Sequence, residues 1–120
     1  MTQPERRDAS MAYISDDAVM EEQRQCRRIL QRFNFADRSD FEGLAAIVKE
    51  LLGKSDHAFI NPPFFCDYGK HIEVGKNFYA NYNCTILDVA KVTIGDNCML
   101  APNVAIYTAG HPLHPCLLYT

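Results

Sequence analysis

The chain has 120 residues, and its 12 lysines and arginines against 15 aspartates and glutamates give a formal net charge of −3. This length fits one domain, and the scattered basic residues argue against a nucleic-acid or membrane-binding patch. No apolar run approaches the ~20 residues that span a bilayer, and the polar, acidic start predicts no secretory signal.

From residue 15 the sequence predicts a helical segment that extends to residue 56, after a flexible N-terminus over residues 1–14. The first helix starts at Ser15-Asp16-Asp17, carries an apolar stripe and ends at Asn34. The second helix has the capping box Ser39-x-x-Glu42 and ends before Gly53. For most residues of both helices, the simplest role is to cover a core.

A different pattern follows the break at Asn61-Pro62-Pro63, and it defines the segment 57–115. Small or branched residues recur every six positions, and the set repeats twenty residues later: Val74, Ala80 and Ile86, then Ile94, Leu100 and Ile106. Neither a helix nor plain strand alternation has this period. Two β-hairpins with coincidental spacing are the simpler alternative.

A period of six suits a prism whose three faces are short strands, with three hexads to a coil. Each apolar residue at the start of a hexad then points inward and stacks on its counterpart one coil away. Glycine and asparagine supply the tight or left-handed backbone that corners require. Cys84 and Cys98 lie at positions that favour small inward side chains, so we expect them in the core.

The five cysteines are an odd number and contain no Cys-x-x-Cys pair. In a chain without an export signal this predicts reduced, buried thiols and a cytoplasmic protein. A metal site is not expected, for the same reason. His111 and His114 form a His-x-x-His pair, but the spacing offers no further ligands.

Several motifs together resemble the maltose and galactoside O-acetyltransferases of the hexapeptide-repeat acyltransferase superfamily. The segment Arg27-Arg28-Ile29-Leu30-x-x-Phe33-Asn34 is similar to the helical domain of that family. The motifs of the repeat region are Asn61-Pro62-Pro63-Phe64-Phe65-Cys66-Asp67-Tyr68-Gly69, Asn77-Phe78-Tyr79-Ala80-Asn81-Tyr82-Asn83, Ile94-Gly95-Asp96-Asn97, Ala101-Pro102-Asn103-Val104 and Tyr107-Thr108-Ala109-Gly110-His111-Pro112.

The resemblance implies an α+β fold, with an N-terminal helical segment followed by the first two coils of a left-handed parallel β-helix. It further implies a homotrimer that binds acetyl-CoA as co-substrate between neighbouring prisms and transfers the acetyl group to a sugar, without a metal, nucleic acid or membrane as partner. The residues that match the family's site are the catalytic His111, Asn81 and Ala80, the acetyl-CoA contacts Asn81 and Gly110, and the acceptor contacts Asp67 and Ser15. A further acceptor contact falls at Val89 and cannot be carried over, so the neighbouring Asp88 is expected to make it.

Acetyl transfer to a hydroxyl requires a base, a donor for the developing oxyanion and a group that orients the acceptor. A histidine such as His111 has a pKa near ~6.5 and can accept the hydroxyl proton at neutral pH. The backbone N–H of Ala80 or the amide of Asn81 can serve as oxyanion donor. A carboxylate such as that of Asp67 suits the orientation of sugar hydroxyls.

Each assignment has a simpler alternative. A lone histidine is usually a surface residue, Asn81 and Asn83 can be corner residues, and Asp67 can cap a turn before Gly69. The aromatic residues Phe78, Tyr79 and Tyr82 fit trimer packing better than a sugar platform.

Residues 116–120 do not resemble the family's continuation, which predicts that the chain is truncated at its C-terminus. Repeat proteins need roughly three or more units to bury a continuous core. We therefore expect a two-coil chain to be marginally stable or to associate with other copies through its open strand edges, and to lack full acetyltransferase activity. The rival interpretation is a non-catalytic hexapeptide-repeat protein or relic that acts through oligomerisation.

Overall fold

The computed structural model describes residues 1–108, and within that range three helices precede nine short strands. The helices are α1 (Gln3–Asp8), α2 (Asp17–Asn34) and α3 (Phe41–Leu51). The strands are β1 (Lys54–Asp56), β2 (Phe59–Ile60), β3 (Phe64–Cys66), β4 (Ile72–Lys76), β5 (Tyr79–Ala80), β6 (Cys84–Leu87), β7 (Val92–Ile94), β8 (Met99–Leu100) and β9 (Ala105–Tyr107).

The strands form three parallel sheets, in the orders β1-β4-β7, β2-β5-β8 and β3-β6-β9. Each run of three consecutive strands makes one coil with one strand on each face. The register is twenty residues, as Ile86 opposite Ile106 shows. The predicted prism and its repeat are therefore confirmed, and the alternative of two β-hairpins is excluded because all the pairs are parallel.

The structure contains three coils within the described residues, where the sequence predicts two. The additional coil comes first, over residues 54–66, so the repeat starts three residues before the predicted boundary at 57. Ile60 and Cys66 pair with Ala80 and Ile86, in phase with the hexads. The sequence does not reveal this first coil, because β1 consists of Lys54-Ser55-Asp56 and lacks the branched apolar residue of the repeat. The register also shifts within that strand.

Asparagines turn the corners of the prism, as predicted. Asn77, Asn83, Asn97 and Asn103 all have φ between 57° and 63°, the left-handed region that asparagine tolerates. His57 takes the same conformation one coil before Asn77, with φ of 57°. Asn81 is absent from this group, so of the two asparagines in question Asn83 is the corner residue.

The core lies between the helices and the first two coils. The apolar stripe of α2 contributes Cys26, Leu30 and Phe33, and α3 contributes Leu44, Val48 and Leu51. These side chains pack on Ile60, Phe64 and the inward residues of the second coil. Cys84 is fully buried, and burial raises the pKa of its thiol to about 11, whereas Cys98 is half-buried.

The start of α3 differs from the predicted capping box. Asp40 is the N-cap, and its carboxylate accepts the backbone N–H of Gly43 at 3.0 Å. The Ser39 hydroxyl instead donates to the carboxylate of Asp37 at 2.7 Å. A closer acceptor two residues upstream thus removes Ser39 from the capping position.

The N-terminal segment, predicted to be flexible, contains the short helix α1. Thr2 and Glu5 form a capping box at its start. Arg7 is buried, and its guanidinium pairs with Asp8 at 2.9 Å and with Glu22 of α2 at 2.6 Å. The contact with Glu22, fifteen residues away, holds the helix against α2, and local sequence patterns do not reveal it. None of the described helices has the length and apolar content to cross a membrane.

Candidate functional site

Asp67 and Asp88 meet at one corner of the prism, although twenty-one residues separate them. Asp67 follows β3 and Asp88 follows β6, so they lie at the same corner of successive coils. The Asp88 carboxylate oxygen Oδ1 accepts the backbone N–H groups of Asp67 at 2.9 Å and of Tyr68 at 3.0 Å. The structure therefore brings together two of the predicted acceptor residues.

Asp88 has a structural role at this corner, and its contact with the acceptor stays a prediction. Its side chain is fully buried, and Oδ1 accepts hydrogen bonds from two peptide N–H groups. Its second oxygen has no hydrogen-bond partner among the described residues. The carboxylate thus holds the turn that carries Asp67.

The Asp67 side chain is half-buried and remains accessible. Burial raises the pKa of this carboxyl, and the neighbouring charge of Asp88 raises it further. The guanidinium of Arg27 opposes both effects. Asp67 is thus a partly desolvated carboxylate at the surface, which is the condition under which hydrogen bonds to a ligand are strongest.

Tyr68 anchors the corner through its side chain, a structural role that the sequence motif does not predict. The guanidinium of Arg7 lies 4.5 Å from its ring centre, and the Gln23 amide donates to its hydroxyl at 3.2 Å. The His71 ring lies 4.7 Å away and places Nδ1 2.6 Å from the Asp88 carbonyl oxygen. The chain then turns at Gly69, where a φ of +73° requires glycine.

Ser15, the predicted contact from the N-terminal segment, is exposed and precedes α2 by two residues. Nearby, Tyr13 is the side chain that approaches the corner. Burial raises the pKa of Tyr13, and the Tyr68 hydroxyl beside it adds to this effect. The acceptor contact that the resemblance places at Ser15 stays a prediction.

Ala80 and Asn81 lie at a different edge of the prism. Ala80 is fully buried in the middle strand of its sheet, and its carbonyl oxygen accepts the N–H of Asn61 at 3.0 Å. The Asn81 N–H donates to the Leu100 carbonyl at 3.0 Å, and its side-chain oxygen accepts the N–H of Tyr82 at 2.8 Å. The Asn81 Nδ2 group takes part in neither of these hydrogen bonds.

No described contact joins Asn81 to the Asp67 corner within residues 1–108. Strand β6 lies between the two places, and four residues of strand span roughly 13 Å. One chain therefore presents the two parts of the predicted site on different edges. His111 and Gly110, the predicted base and second acetyl-CoA contact, lie outside the described residues.

A groove of about 610 Å³ runs between α2 and β3 and ends at Asp67. We call it the α2–β3 groove. It is lined by Gln23, Arg27, Leu30, Gln31, Asn34, Phe35, Phe65, Cys66 and Asp67. Of these residues, Cys66 has its sulfur atom 3.5 Å from that of Cys26, and this contact, followed by burial, raises the pKa of the Cys66 thiol. Among the described residues, no group of three or more metal-ligating side chains is present.

Comparison with known proteins supports a common family. Residues 8–56 match the maltose acetyltransferase hexapeptide capping motif. Over 89 residues the chain is 40% identical to galactoside O-acetyltransferase of Escherichia coli (strain K12), which corresponds to 73% of this chain and 44% of that protein.

The solved structures match a larger share of this chain. A maltose O-acetyltransferase from Clostridium difficile 630 superposes with a TM-score of 0.96 at 39% identity, over 99% of this chain and 65% of that one. A galactoside acetyltransferase in complex with coenzyme A gives a TM-score of 0.91 at 35% identity, over 98% of this chain and 60% of that one. These matches confirm the predicted α+β class and the left-handed β-helix. The chain spans less than two thirds of the length of each of these three relatives.

Proposed function

Because the chain belongs to the maltose and galactoside O-acetyltransferase family of hexapeptide-repeat proteins, we propose that it transfers the acetyl group of acetyl-CoA to a hydroxyl of a sugar. The observation that carries this proposal is the corner formed by Asp67, Tyr68 and Asp88. It presents one accessible carboxylate on a backbone that a buried carboxylate holds in place.

Asp67 is the residue that we propose to orient the acceptor. A carboxylate accepts hydrogen bonds from sugar hydroxyls, and a group held by its own backbone positions them with little loss of entropy. The raised pKa of Asp67, caused first by burial, marks a site where water already solvates the charge incompletely. A ligand hydroxyl can replace that water favourably.

In the proposed reaction the acceptor oxygen forms a bond to the thioester carbonyl carbon, and the carbon–sulfur bond breaks. His111 accepts the hydroxyl proton during the attack and returns it to the departing thiolate, so that the proton balance closes. The Asn81 Nδ2 group donates to the thioester oxygen as negative charge develops there, a contribution of about 3 kcal/mol for one well-placed donor. No residue of the chain forms a covalent intermediate in this scheme.

A homotrimer is part of the proposal, since Asn81 and the Asp67 corner lie on different edges of one chain. Association of prisms side by side lets one chain supply its Asn81 edge and a neighbour supply its Asp67 edge. Light scattering coupled to size-exclusion chromatography measures the oligomeric state. A monomer with full transferase activity would contradict the shared site.

The function is tested by measuring coenzyme A release from acetyl-CoA in the presence of glucose, maltose or a thiogalactoside. We expect sugar-dependent release, and we expect His111→Ala to lower kcat/KM by roughly 10²–10⁴-fold, the contribution of a general base. His114→Ala is the matched control, since it removes the neighbouring imidazole. Release that does not depend on the sugar, or an equal loss in both variants, would refute the assignment of His111.

A further inference from the structure

We propose that the α2–β3 groove is a subsite for a second sugar unit of the acceptor, next to the corner that carries Asp67. This inference rests on the proposed function, to which it adds the place where a second sugar unit of the acceptor binds. The groove is within the ~300–1,000 Å³ typical of small-molecule sites.

One wall of the groove is a row of planar polar side chains on α2. Gln23, Arg27 and Gln31 follow each other at intervals of four residues, so they lie on one face of the helix. Amide and guanidinium groups offer paired donors, and the amides add acceptors, all in fixed planar geometry. Such groups match the paired hydroxyls of a sugar ring.

The opposite wall comes from β3 and the residue that follows it. Side chains alternate between the two faces of a strand, and Phe65 and Asp67 therefore point outward while Phe64 and Cys66 point toward the core side. The Phe65 side chain is 47% exposed. Its ring supplies an apolar face for the C–H groups of a sugar, beside a carboxylate that binds its hydroxyls.

The charges in the groove suit a neutral ligand with hydroxyl groups. The other arginines of α2 pair with glutamates: Arg24 and Arg28 contact Glu21, and Arg32 contacts Glu50. Arg27 forms no ion pair within residues 1–108, although it lines the same groove as Asp67 and its charge lowers the pKa of that carboxyl. A sugar hydroxyl in the groove can donate to the Asp67 carboxylate and accept from the Arg27 guanidinium.

The two walls are joined at the end of the helix, so the groove exists before any ligand binds. The Asn34 amide donates to the Phe64 carbonyl at 2.9 Å and accepts the Phe64 N–H at 2.9 Å. Gln23 donates to the Tyr68 hydroxyl near the other end. A preformed groove reduces the entropy cost of binding.

The test is isothermal titration of the full chain, without acetyl-CoA, with two pairs of probes: glucose and maltose, and galactose and lactose. We expect each disaccharide to bind about tenfold more tightly than its monosaccharide, the factor that corresponds to about 1.4 kcal/mol. We expect Phe65→Ala and Phe65→Leu to remove this preference, and Arg27→Met to weaken disaccharide binding about tenfold, since it deletes one charged hydrogen-bond donor.

Phe41→Ala and Arg28→Met are the matched controls, because they remove an exposed aromatic ring and an arginine outside the groove. Circular dichroism verifies the fold of each variant, and Phe65→Leu retains an apolar side chain if the alanine variant unfolds. Equal affinity of the chain for each disaccharide and its monosaccharide, or unchanged maltose affinity in both Phe65→Leu and Arg27→Met, would overturn the inference.

The binding experiment separates this inference from the proposed function. Disaccharide binding that depends on Phe65, in a chain that transfers no acetyl group, supports the subsite and refutes the function. Acetyl transfer to glucose and maltose with equal kcat/KM, unaffected by Phe65→Leu, supports the function and refutes the subsite.

Discussion

The first and third coils of the prism follow the same repeat but bury it to different extents. In the first coil, which α2 and α3 cover, Ile60 and Phe64 are at most 1% exposed. In the third coil, the inward residues Ile94, Leu100 and Ile106 are only half-buried. The direction of a side chain is set by the repeat, but its burial depends on the layers above and below it.

The second coil confirms this reading, because it has a neighbour on both sides. Its inward residues Val74, Ala80 and Ile86 are at most 2% exposed. Stability in such an architecture is close to a sum of terms for each coil and its contacts with the next. Equivalent residues in the second and third coils should therefore differ in what they contribute.

The largest expected effect is the difference in stability between alanine variants at Ile86 and Ile106, which are register partners in adjacent coils. Ile86→Ala should lower the free energy of unfolding by ~3 kcal/mol, because it leaves a cavity between two layers. Ile106→Ala should lower the free energy of unfolding by about 1 kcal/mol, because folding removes less apolar surface from contact with water at that position. Urea unfolding followed by circular dichroism gives both values.

The valine variants Ile86→Val and Ile106→Val serve as controls, since they remove a single methyl group and preserve the branched side chain. Their costs should be smaller and in the same order. Equal losses for the two alanine variants would show that burial in this chain does not limit the contribution of the third coil.

A second, smaller contrast concerns the longest corner of the prism, where Asp88 and Thr108 are equivalent residues. Asp88 accepts two peptide N–H groups of the preceding coil, and Thr108 accepts the N–H of Ala90 at 2.9 Å. Asp88→Ala should cost about 2 kcal/mol, since it leaves the buried N–H of Tyr68 without an acceptor. Thr108→Ala should cost about 0.5–1 kcal/mol, since water can reach the exposed Ala90 N–H.

Asp88→Asn and Thr108→Ser retain the accepting oxygen in each position, and both should be close to the unmodified chain in thermal unfolding. If Asp88→Asn is as destabilised as Asp88→Ala, the negative charge rather than the hydrogen-bond geometry holds the corner. That outcome would remove the parallel between the two residues.

The repeat could be predicted from the sequence because every sixth residue has the same position in the prism and is therefore restricted to the same residue types. Left-handed corners select asparagine, and inward positions select branched or small side chains, so Asn77 and Asn97, and Ile86 and Ile106, reveal the period. The first coil was not predicted because it departs from the repeat on the side covered by α3. There β1 is polar, and His57 takes the corner position that asparagine holds in the later coils. A capped layer needs less regularity than one that must stack on both sides.

The residue types of the candidate site could be predicted from the sequence, but its geometry depends on contacts between coils and helices. The motif around Asp67 identifies a candidate acceptor contact, whereas the burial of Asp88 follows from the stacking of successive coils. The placement of Arg7 over Tyr68 follows from the packing of α1. No periodic pattern in the sequence predicts that packing. Local residue types thus identify candidate groups, and tertiary contacts decide which of them face a ligand.

The smallest expected effect uses the pH dependence of stability at the same corner. Burial, followed by the charge of Asp88, raises the pKa of Asp67, so the folded chain binds more protons than the unfolded chain between the unfolded and folded pKa values. Its stability therefore falls as the pH rises through that interval. Asp67→Asn should stabilise the chain at pH 7, and this gain should vanish below the ordinary aspartate pKa of about 3.9.

Asp37 provides a control of opposite sign on the helical side of the molecule. Hydrogen bonds from the Ser39 hydroxyl and backbone N–H lower the pKa of Asp37, so its contribution to stability is present at neutral pH and is lost as the pH falls through the folded pKa. Asp37→Asn should thus destabilise the chain at pH 7 and converge with it in acid. Thermal unfolding of both variants from pH 3 to pH 7 measures the two trends. If Asp67→Asn instead follows the direction of Asp37→Asn, Asp67 makes a stabilising contact in the folded chain that outweighs its desolvation at the capped corner.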